Sequence, residues 1–358
     1  MAKQALARTG FDYMTTQQDL LGIFKQSTFG AFTTGRFSSG KSLQIENASV
    51  TTGINLSGTA VDTGLLPASY TTAGAVCFAI AWFYALSGDF VVRVAENTVA
   101  AQLTLRINTA DQSYTVYRGT MADTVLASGT SAAISNLGGY TYLPVQFGWL
   151  TSDTVGKLYL RINGTTLLDG TTTSYDTNNG GSSVWNRVSF GKTVGDSIIQ
   201  TFLDDIVLFD MGGDAFTTLP RDARFYIGVP TGNNTVAWTP NSGTNWAAAA
   251  TNDADTLYNS SSTPGQQDLF DVSATWIPNG STIYGTPQLV RKSRIDDATP
   301  RDVKSAVRSV ATTTYGATTS EFSSYTLFVD EIALDPNGGI AWTLASLQAV
   351  DIGYNLVT

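Results

Sequence analysis

Alternation of apolar and polar residues at every second position is the sequence feature that most constrains this fold. The segment LYLRI places Leu158, Leu160 and Ile162 on one side of an extended strand, with polar or amphipathic residues between them. Asn163-Gly164 follows directly, and this dipeptide tolerates the positive φ angles of a tight hairpin turn. The stretch 156–170 therefore predicts a β-hairpin.

A second pair of strands is predicted over 187–210, where RVSFGK and TFLDDIVLFD are joined by a glycine-bearing connection. The last strand is predicted to alternate Phe202, Ile206 and Leu208 with Leu203, Asp205 and Val207. Asp204 and Asp205 are the paired carboxylates of this strand. We expect the two strands to lie side by side.

Short strand-like runs separated by Gly, Asn and Asp turns recur from about residue 28 onward. The longest apolar run, 75–86, has turn residues at its ends and predicts a buried strand. Helix-forming glutamate is scarce. These patterns favour an all-β sandwich or jelly roll, in which one face of each sheet meets the core and the other meets solvent or ligand.

The organisation along the chain predicts three parts. Residues 1–27 are predicted to form an N-terminal arm with a short helix capped by Thr16. Residues 28–228 form the first β domain, and 229–358 form a smaller β domain after Pro230 and Gly232 interrupt the strand pattern. In the second domain, WTLASLQAV predicts a short helix that leads into a last strand.

Histidine is absent from all 358 residues, and Cys77 is the sole cysteine. A Ser-His-Asp or Cys-His catalytic system cannot be built from this chain, and an intrachain disulfide is impossible. Cys77 lies within the 75–86 run, which predicts a buried apolar role for it. The fold must therefore be stabilised by core packing.

The chain carries a formal net charge of −9, and only 14% of its residues are charged. This balance argues against nucleic-acid binding, which needs a basic surface. The basic run Arg291, Lys292 and Arg294 is followed by Asp296 and Asp297, which predicts a solvated, self-compensating strand end.

Neither a signal peptide nor a membrane-spanning segment is expected. The N-terminal MAKQALARTGFDY has no apolar region after its basic residues, and the 75–86 run is shorter than the ~20 residues that span a bilayer.

Three segments carry a family resemblance: GAFTTGRFSSGKSLQI, LYLRINGTTLLDG and SFGKTV with TFLDDIVLFD. They resemble the concanavalin A-like, laminin-G-type jelly roll of tailed-phage structural proteins. The segments VPTGNNTVAWTPNSGTNW, VRKSRIDDATPRDVKSAVRS and IGYNLV are similar to the C-terminal module that accompanies it. The resemblance implies a virion component made in the bacterial cytoplasm, with a jelly-roll sandwich, a smaller β-sandwich domain and a short N-terminal arm.

An enzymatic role is not expected. Glycoside hydrolases of the related laminarinase type need two closely spaced glutamates and an aspartate. Glu46 and Glu96 are isolated, and Asp204 and Asp205 would point to opposite faces of an extended strand. No catalytic residue is predicted.

A calcium site near the rim of the sandwich is an alternative interpretation of the paired aspartates. Its candidate ligands are Asp204 with Asp196, Asn178 or Asn179. The competing interpretation is that one aspartate hydrogen-bonds a turn while the other faces solvent. Because no compact Asp-x-Asp-x-Asp loop is present, neither a metal nor a cofactor is predicted.

Sugar binding could use an aromatic ring beside an amide or carboxylate, since the ring covers the apolar face of a sugar. The available sets are Trp185 with Asn186, Tyr175 with Asp176, and Trp246 with Asn245. Core packing is the simpler explanation for each of these aromatic residues, so no ligand-binding residue is assigned.

Three functions remain open. The first is a non-enzymatic virion protein, such as a tail, neck or capsid appendage, that contacts other virion proteins and possible host-surface polysaccharide. The others are a capsid decoration or cement protein and a polysaccharide depolymerase. Homo-oligomerisation, with a trimer as one form, is implied by the resemblance alone.

Overall fold

The computed structural model describes the chain over fourteen segments: 4–9, 31–34, 41–45, 57–62, 70–82, 89–96, 100–135, 141–180, 183–192, 201–213, 215–220, 224–251, 256–283 and 285–358. Within them, only the backbone is described for 4–9, 31–34, 41–45, 57–62, 82, 100 and 192. The chain forms two compact units, Met1–Phe225 and Tyr226–Thr358.

The first unit is built from strands, with one short 3-10 helix at Phe216–Thr218 among its described residues. The strands are β1 (Gln4–Thr9), β2 (Ala31–Thr34), β3 (Lys41–Ile45), β4 (Ser57–Asp62), β5 (Ala73–Trp82), β6 (Asp89–Glu96), β7 (Ala100–Asn108), β8 (Ser113–Arg118), β9 (Thr124–Thr130), β10 (Leu143–Leu150), β11 (Lys157–Ile162), β12 (Thr165–Leu168), β13 (Arg187–Lys192) and β14 (Thr201–Gly212).

These strands form two antiparallel sheets. Over the described residues, sheet I has the order β12-β11-β10-β5-β14-β3-β2, and β1 pairs with β14 beside β3. Sheet II has the order β4-β13-β6-β7-β8-β9. The all-β sandwich that the sequence predicts is confirmed at this level.

The core of the first unit lies between the inward faces of the two sheets. Alternate residues of β5, β10 and β11 meet alternate residues of β6, β7 and β13 in one continuous apolar cluster. Phe78 contacts Phe90 and Phe190 with ring centroids 5.4 and 5.6 Å apart. Each aromatic side chain buried in this way contributes about 1.5–3 kcal/mol relative to exposure.

The predicted hairpin is confirmed as β11 and β12. Leu158, Leu160 and Ile162 lie in the core. Asn163 and Gly164 form the turn with φ angles of +47° and +80°, the left-handed conformations that this dipeptide tolerates. The predicted buried strand of the 75–86 run is also confirmed as β5, in which Cys77 is 2% exposed.

The predicted side-by-side pairing of the strands in 187–210 is wrong. β13 belongs to sheet II, where it pairs with β4 and β6, whereas β14 lies in sheet I between β5 and the strands β1 and β3. Sequence neighbours in a sandwich can cross from one sheet to the other, and strand alternation alone does not distinguish this crossing from a hairpin.

The described outward residues of β5, β11 and β14 in sheet I are covered rather than open, contrary to the expectation that one face of each sheet meets solvent or ligand. The 3-10 helix and Leu219 pack on Tyr159 and other outward residues of β5, β11 and β14. Phe216 stacks on Tyr159 with ring centroids 5.7 Å apart. The ring of Phe216 has room because Gly148 and Gly170 lack side chains, and a Cβ at either glycine would lie within 2.7 Å of it.

Residues 4–9 of the predicted N-terminal arm form strand β1 of sheet I. β1 runs antiparallel to the second half of β14, from Gln4 opposite Asp210 to Thr9 opposite Ile206. This part of the predicted arm is thus a strand of the sheet. The predicted helix after Thr16 lies outside the described residues.

The second unit has ten strands and two short helices among its described residues. The strands are β15 (Pro230–Thr235), β16 (Thr239–Pro240), β17 (Asn259–Ser260), β18 (Gln267–Val272), β19 (Gln288–Ser293), β20 (Asp302–Ser309), β21 (Thr312–Tyr315), β22 (Thr319–Ser320), β23 (Thr326–Glu331) and β24 (Val350–Leu356), and the helices are α1 (Asn245–Ala249) and α2 (Leu344–Gln348).

Sheet III is the main sheet of the second unit, with the described order β15-β18-β24-β20-β21 and β22 paired to β20. Its inner face carries Val307 and Ile352 into an apolar cluster with Trp342 and Leu347. The predicted helix and last strand near the C-terminus are confirmed as α2 and β24. Thr343 caps α2 by accepting from the backbone N–H of Ser346. In the described part of the chain, no helix combines the length and apolar character needed to span a bilayer.

Candidate functional site

Asp204 and Asp205 lie in a β-bulge, so the expected strict alternation of their strand is wrong. Asp204 pairs with Ala79 and Val207 pairs with Cys77, which leaves one extra residue in β14. Asp205 takes a φ of +51°, and Asp204 Oδ1 accepts from its backbone N–H at 2.8 Å. The bulge shifts the pattern by one residue.

The core receives Leu203 before the bulge and Ile206 and Leu208 after it, whereas Phe202 lies in a separate cluster. Asp204 and Asp205 are both buried, at 3% and 4% exposure. The expectation that one aspartate faces solvent is therefore wrong.

Among the described residues, the calcium-ligand candidates Asp204, Asn178 and Asn179 are not brought together. Asn179 hydrogen-bonds to β7 of sheet II, where its Nδ2 donates to Ala101 O at 2.9 Å, while Asp204 belongs to β14 of sheet I. Asn178 is buried next to Asn179, and Asp196 lies outside the described residues. Across the described segments, no group of three or more acidic or cysteine side chains could hold a metal ion.

Trp185 is a core residue and cannot bind a sugar. It is 0% exposed, its Nε1 donates to Thr72 O at 2.9 Å, and its ring meets Trp149 edge-on at 5.1 Å. Tyr70 stacks on its other side at 4.9 Å. Its neighbour Asn186 is buried as well.

Three of the four residues in the remaining candidate pairs, Tyr175, Asp176 and Asn245, have side chains that contact other parts of the fold. Tyr175 packs against the core, and Asp176 forms an ion pair with Arg118. In the second unit, Asn245 is buried, and its Nδ2 donates to Trp238 O at 2.7 Å and to Asp268 Oδ2 at 3.1 Å. Trp246 itself is partly exposed, and its backbone N–H donates to Asn233 Oδ1 at 2.9 Å.

The predicted basic strand end of the second unit is only partly solvated. Arg294 pairs with Asp296 as expected. Arg291, however, is 8% exposed, binds Glu321 at 2.5 Å and lies 4.4 Å over the ring of Phe328. Its alternation on β19 points it inward, so Arg291 is a buried structural ion-pair residue rather than part of a basic surface.

The outward face of sheet II presents a row of polar side chains that the predictions did not single out. β7 sends Leu105 and Ile107 into the core, so Arg106 between them points outward. The register places Thr115 of β8 opposite Arg106, and Ser128 of β9 opposite Thr115. One line of side chains thus crosses three strands.

Tyr117 lies on the same face, two residues from Thr115 along β8. Arg106, Thr115 and Tyr117 are partly exposed, and Ser128 on the edge strand β9 is exposed. We refer to these four residues as the arginine–tyrosine surface.

Asp89 fixes the guanidinium of Arg106. Arg106 Nε donates to Asp89 Oδ2 at 2.8 Å, and a terminal nitrogen lies 2.7 Å from the same oxygen. Partial burial opposes the charge of Arg106, but the hydrogen bond and charge of Asp89, together with a hydrogen bond to Tyr117, raise the pKa of Arg106 above its usual value. The guanidinium stays charged and is held in one orientation.

This arrangement has the chemistry of a polar recognition surface. A guanidinium donates hydrogen bonds in a fixed plane, hydroxyl groups both donate and accept, and a tyrosine ring offers an apolar face. The sequence signal was the polar half of the alternation in AQLTLRIN and SYTVYR, which marks residues that face away from the core.

Comparison with known proteins finds no matching protein-family model and no matching curated protein. Similar solved structures include a Bacillus subtilis protein of unknown function with a galectin-like fold, at 11% identity and a TM-score of 0.35, covering 58% of this chain and 98% of that one.

A second is a legume lectin-like domain from Entamoeba histolytica, at 9% identity and a TM-score of 0.36, covering 57% of this chain and 97% of that one. A third is domain 4 of AbnA, an extracellular arabinanase from Geobacillus stearothermophilus. This domain, solved in complex with arabinotriose, is 13% identical with a TM-score of 0.36, covering 59% of this chain and 94% of that one. At these scores the similarities carry no argument about function.

Proposed function

We propose that this protein is a non-enzymatic surface protein that binds a glycan through the arginine–tyrosine surface of its first unit. The observation that supports the proposal is the geometry of Arg106, which Asp89 orients beside Tyr117 in an open line with Thr115 and Ser128. This geometry supplies oriented donors, hydroxyl groups and one aromatic ring on a rigid sheet.

A glycan fits these groups because sugar rings combine hydroxyl groups with small apolar faces. Sugar oxygens can accept from Arg106 and exchange hydrogen bonds with Thr115 and Ser128. The ring of Tyr117 can contact the apolar face of a sugar. Because the strands of sheet II are fixed by pairing on both sides of β8, little ordering entropy is lost on binding.

A binding role is preferred over hydrolysis on chemical grounds. Retaining hydrolysis needs two carboxyl groups about 5 Å apart, one acting as acid and the other as nucleophile. Beside this surface, the carboxylate of Asp89 is engaged by Arg106. An aspartate in this role orients a donor and is not free to take or deliver a proton.

The biological setting that we propose is the surface of a bacteriophage particle, as a tail, neck or capsid appendage. The support is the sequence resemblance described above. In this setting the protein contacts other virion proteins, forms a homo-oligomer and presents the arginine–tyrosine surface to host polysaccharide. Copy number per particle distinguishes an appendage from a capsid decoration protein, since decoration requires copies in proportion to the capsid lattice.

Glycan binding can be tested with the purified full chain on immobilised bacterial capsular polysaccharides, O-antigens and teichoic acids. We expect the wild type to bind a subset, and Arg106→Ala or Tyr117→Ala to weaken that binding by about 10- to 100-fold, the cost of losing a charged hydrogen bond or an aromatic contact. Arg118→Ala is the matched control, because Arg118 is also an ion-paired, partly exposed arginine of the first unit.

Arg106→Ala could unfold the protein, because it removes this partner of Asp89. In that case Tyr117→Ala alone tests the proposed site. Equal binding by the wild type and a folded Tyr117→Ala variant would contradict the proposed site. Release of oligosaccharides from any bound polysaccharide would contradict the non-enzymatic proposal.

A further inference from the structure

The outer face of sheet III, in the second unit, carries a tyrosine that spans two strands. Tyr315 of β21 pairs with Ala306 of β20, which pairs with Gly353 of β24. The hydroxyl of Tyr315 nevertheless donates to Gln267 Oε1 on β18, one strand further, at 2.7 Å. To reach it, the tyrosine side chain must cross Ala306 and Gly353.

The sequence makes room for this crossing. Ala306 has the smallest side chain that an L-residue can carry, and it is 0% exposed. Gly353 has no side chain, and a Cβ at this position would also lie 1.9 Å from the backbone oxygen of Asp268. Tyr315 itself is 44% exposed. Its ring therefore lies over small residues and presents its other side to solvent.

Hydrogen-bonding side chains flank the ring on both sides. Lys304 and Asn355 lie one step along β20 and β24 in one direction, and Arg308 and Asp351 lie one step in the other. Each step is two residues, or about 7 Å, along a strand, so the two rows lie about 14 Å apart. An oligosaccharide that rests on Tyr315, rather than a single sugar ring, would reach both rows. We refer to Tyr315, Gln267, Lys304, Asn355, Arg308 and Asp351 as the Tyr315 surface.

The charges around the ring cancel. Arg308 Nε donates to Asp351 Oδ2 at 2.8 Å. Asp271 lies opposite Asp351 on β18, and Lys304 Nζ lies 5.9 Å from the Tyr315 ring centroid. Two cations are thus matched by two carboxylates at neutral pH. Such a surface offers a charged ligand no net attraction, but it offers a neutral polar ligand many hydrogen bonds.

We propose that the Tyr315 surface is a second glycan site, which binds a neutral oligosaccharide built of pyranose rings. The sugar's apolar face stacks on Tyr315, and its hydroxyl groups bond to the rows on either side. The Tyr315–Gln267 hydrogen bond fixes the ring before binding, which reduces the entropy lost. The site lies in the second unit and shares no residue with the arginine–tyrosine surface. Experiments can therefore support or reject this site independently of the proposed function.

The test is calorimetric titration of the full chain with the neutral hexasaccharides cellohexaose, maltohexaose, laminarihexaose and xylohexaose. We expect the wild type to bind at least one of them and Tyr315→Ala to bind it about tenfold more weakly or not at all. Tyr315→Phe keeps the ring but loses the bond to Gln267, so its loss should be smaller. Phe322→Ala, which removes another exposed aromatic ring of the same unit, should bind as the wild type does.

The proposal is overturned if the wild type binds none of the four, or if Tyr315→Ala binds as tightly as the wild type. Light scattering tests the competing hypothesis that a second copy of the chain binds to the Tyr315 surface. If Tyr315→Ala changes the oligomeric state while hexasaccharide binding is absent, the surface is an interface between copies. Tyr117→Ala should leave hexasaccharide binding unchanged, which separates this site from the first.

Discussion

The two units stabilise similar antiparallel sheets with different proportions of apolar packing and polar networks. The first unit buries large aromatic side chains between two sheets, with Trp149, Phe90 and Phe147 all at 0% exposure. The second unit surrounds a charged side chain, Asp268, which is also 0% exposed. A small unit cannot enclose as large an apolar core, so directed hydrogen bonds carry more of its structure.

The network around Asp268 connects the loops of the second unit to sheet III. Asp268 Oδ1 accepts from the backbone N–H groups of Ala237 and Trp238 at 2.6 and 2.9 Å. Tyr354 lies beside it, and the Tyr354 hydroxyl accepts from Asn259 Nδ2 at 2.6 Å. Burial, and then the charge of Asp268, raise the pKa of Tyr354 well above its usual value, so the phenol stays neutral.

This difference indicates which changes each unit tolerates. An apolar core loses stability with the volume that is removed, whereas a polar network loses stability when one member leaves the others without partners. In both units the polar, partly exposed side chains of a sheet remain available for recognition.

The largest expected effect is a cavity in the first unit. Phe147→Ala should lower the free energy of unfolding by about 3–5 kcal/mol, because the ring is fully buried in the core. Urea unfolding of the full chain measures the loss. Val155→Ala, at a residue that is 57% exposed, is the control and should change stability by less than about 0.5 kcal/mol. A loss under ~1 kcal/mol for Phe147→Ala would contradict the packing account.

A somewhat smaller effect is expected from the polar network of the second unit. Asp268→Ala should cost about 3 kcal/mol, since two backbone donors and Asn245 lose a charged acceptor. Asp268→Asn keeps one acceptor oxygen for the backbone donors, so it should cost less. If both variants unfold at the wild-type urea concentration, hydrogen bonding is not what stabilises this unit.

The smallest expected effect is a pH dependence of stability from Asp351. Burial is the main cause that raises the pKa of Asp351, with Asp271 adding to it, while Arg308 opposes the shift. The folded state therefore binds the proton more tightly than the unfolded state. The resulting stability is fully present below the ordinary aspartate pKa and is lost as the pH rises through the raised value.

The contribution of Asp351 to stability can be measured by thermal unfolding of the wild type and Asp351→Asn between pH 3.5 and 7. This range includes the usual aspartate pKa of ~3.9. The stability of the wild type relative to Asp351→Asn should fall as the pH rises through the lower part of this range. A constant or rising difference would show that the pKa of Asp351 is not raised.

Local features of the fold were predictable where alternation and turn chemistry agreed. The hairpin around Asn163-Gly164 and the helix that leads into β24 follow from residues close together in the sequence. Non-local features were not predictable in this way. The assignment of β13 and β14 to different sheets depends on a crossing, and alternation looks the same for a crossing and a hairpin.

The candidate sites were missed for a related reason. A tryptophan beside an amide suggested a sugar site at Trp185, but burial depends on what the rest of the chain places over the ring. Arg106 and Tyr117 are ordinary outward residues of their strands, and only the register brings them together with Thr115. Tyr315 gains its role from two small residues on other strands, Ala306 and Gly353.

We propose that recognition lies on the polar faces of both units. This is tested by measuring binding of the full chain to the panel of bacterial surface polysaccharides for the wild type, Tyr117→Ala, Tyr315→Ala and the double variant, each shown to be folded. We expect Tyr117→Ala to lose most of the binding and the double variant to lose all of it. Wild-type binding by the double variant would show that recognition does not lie on these faces.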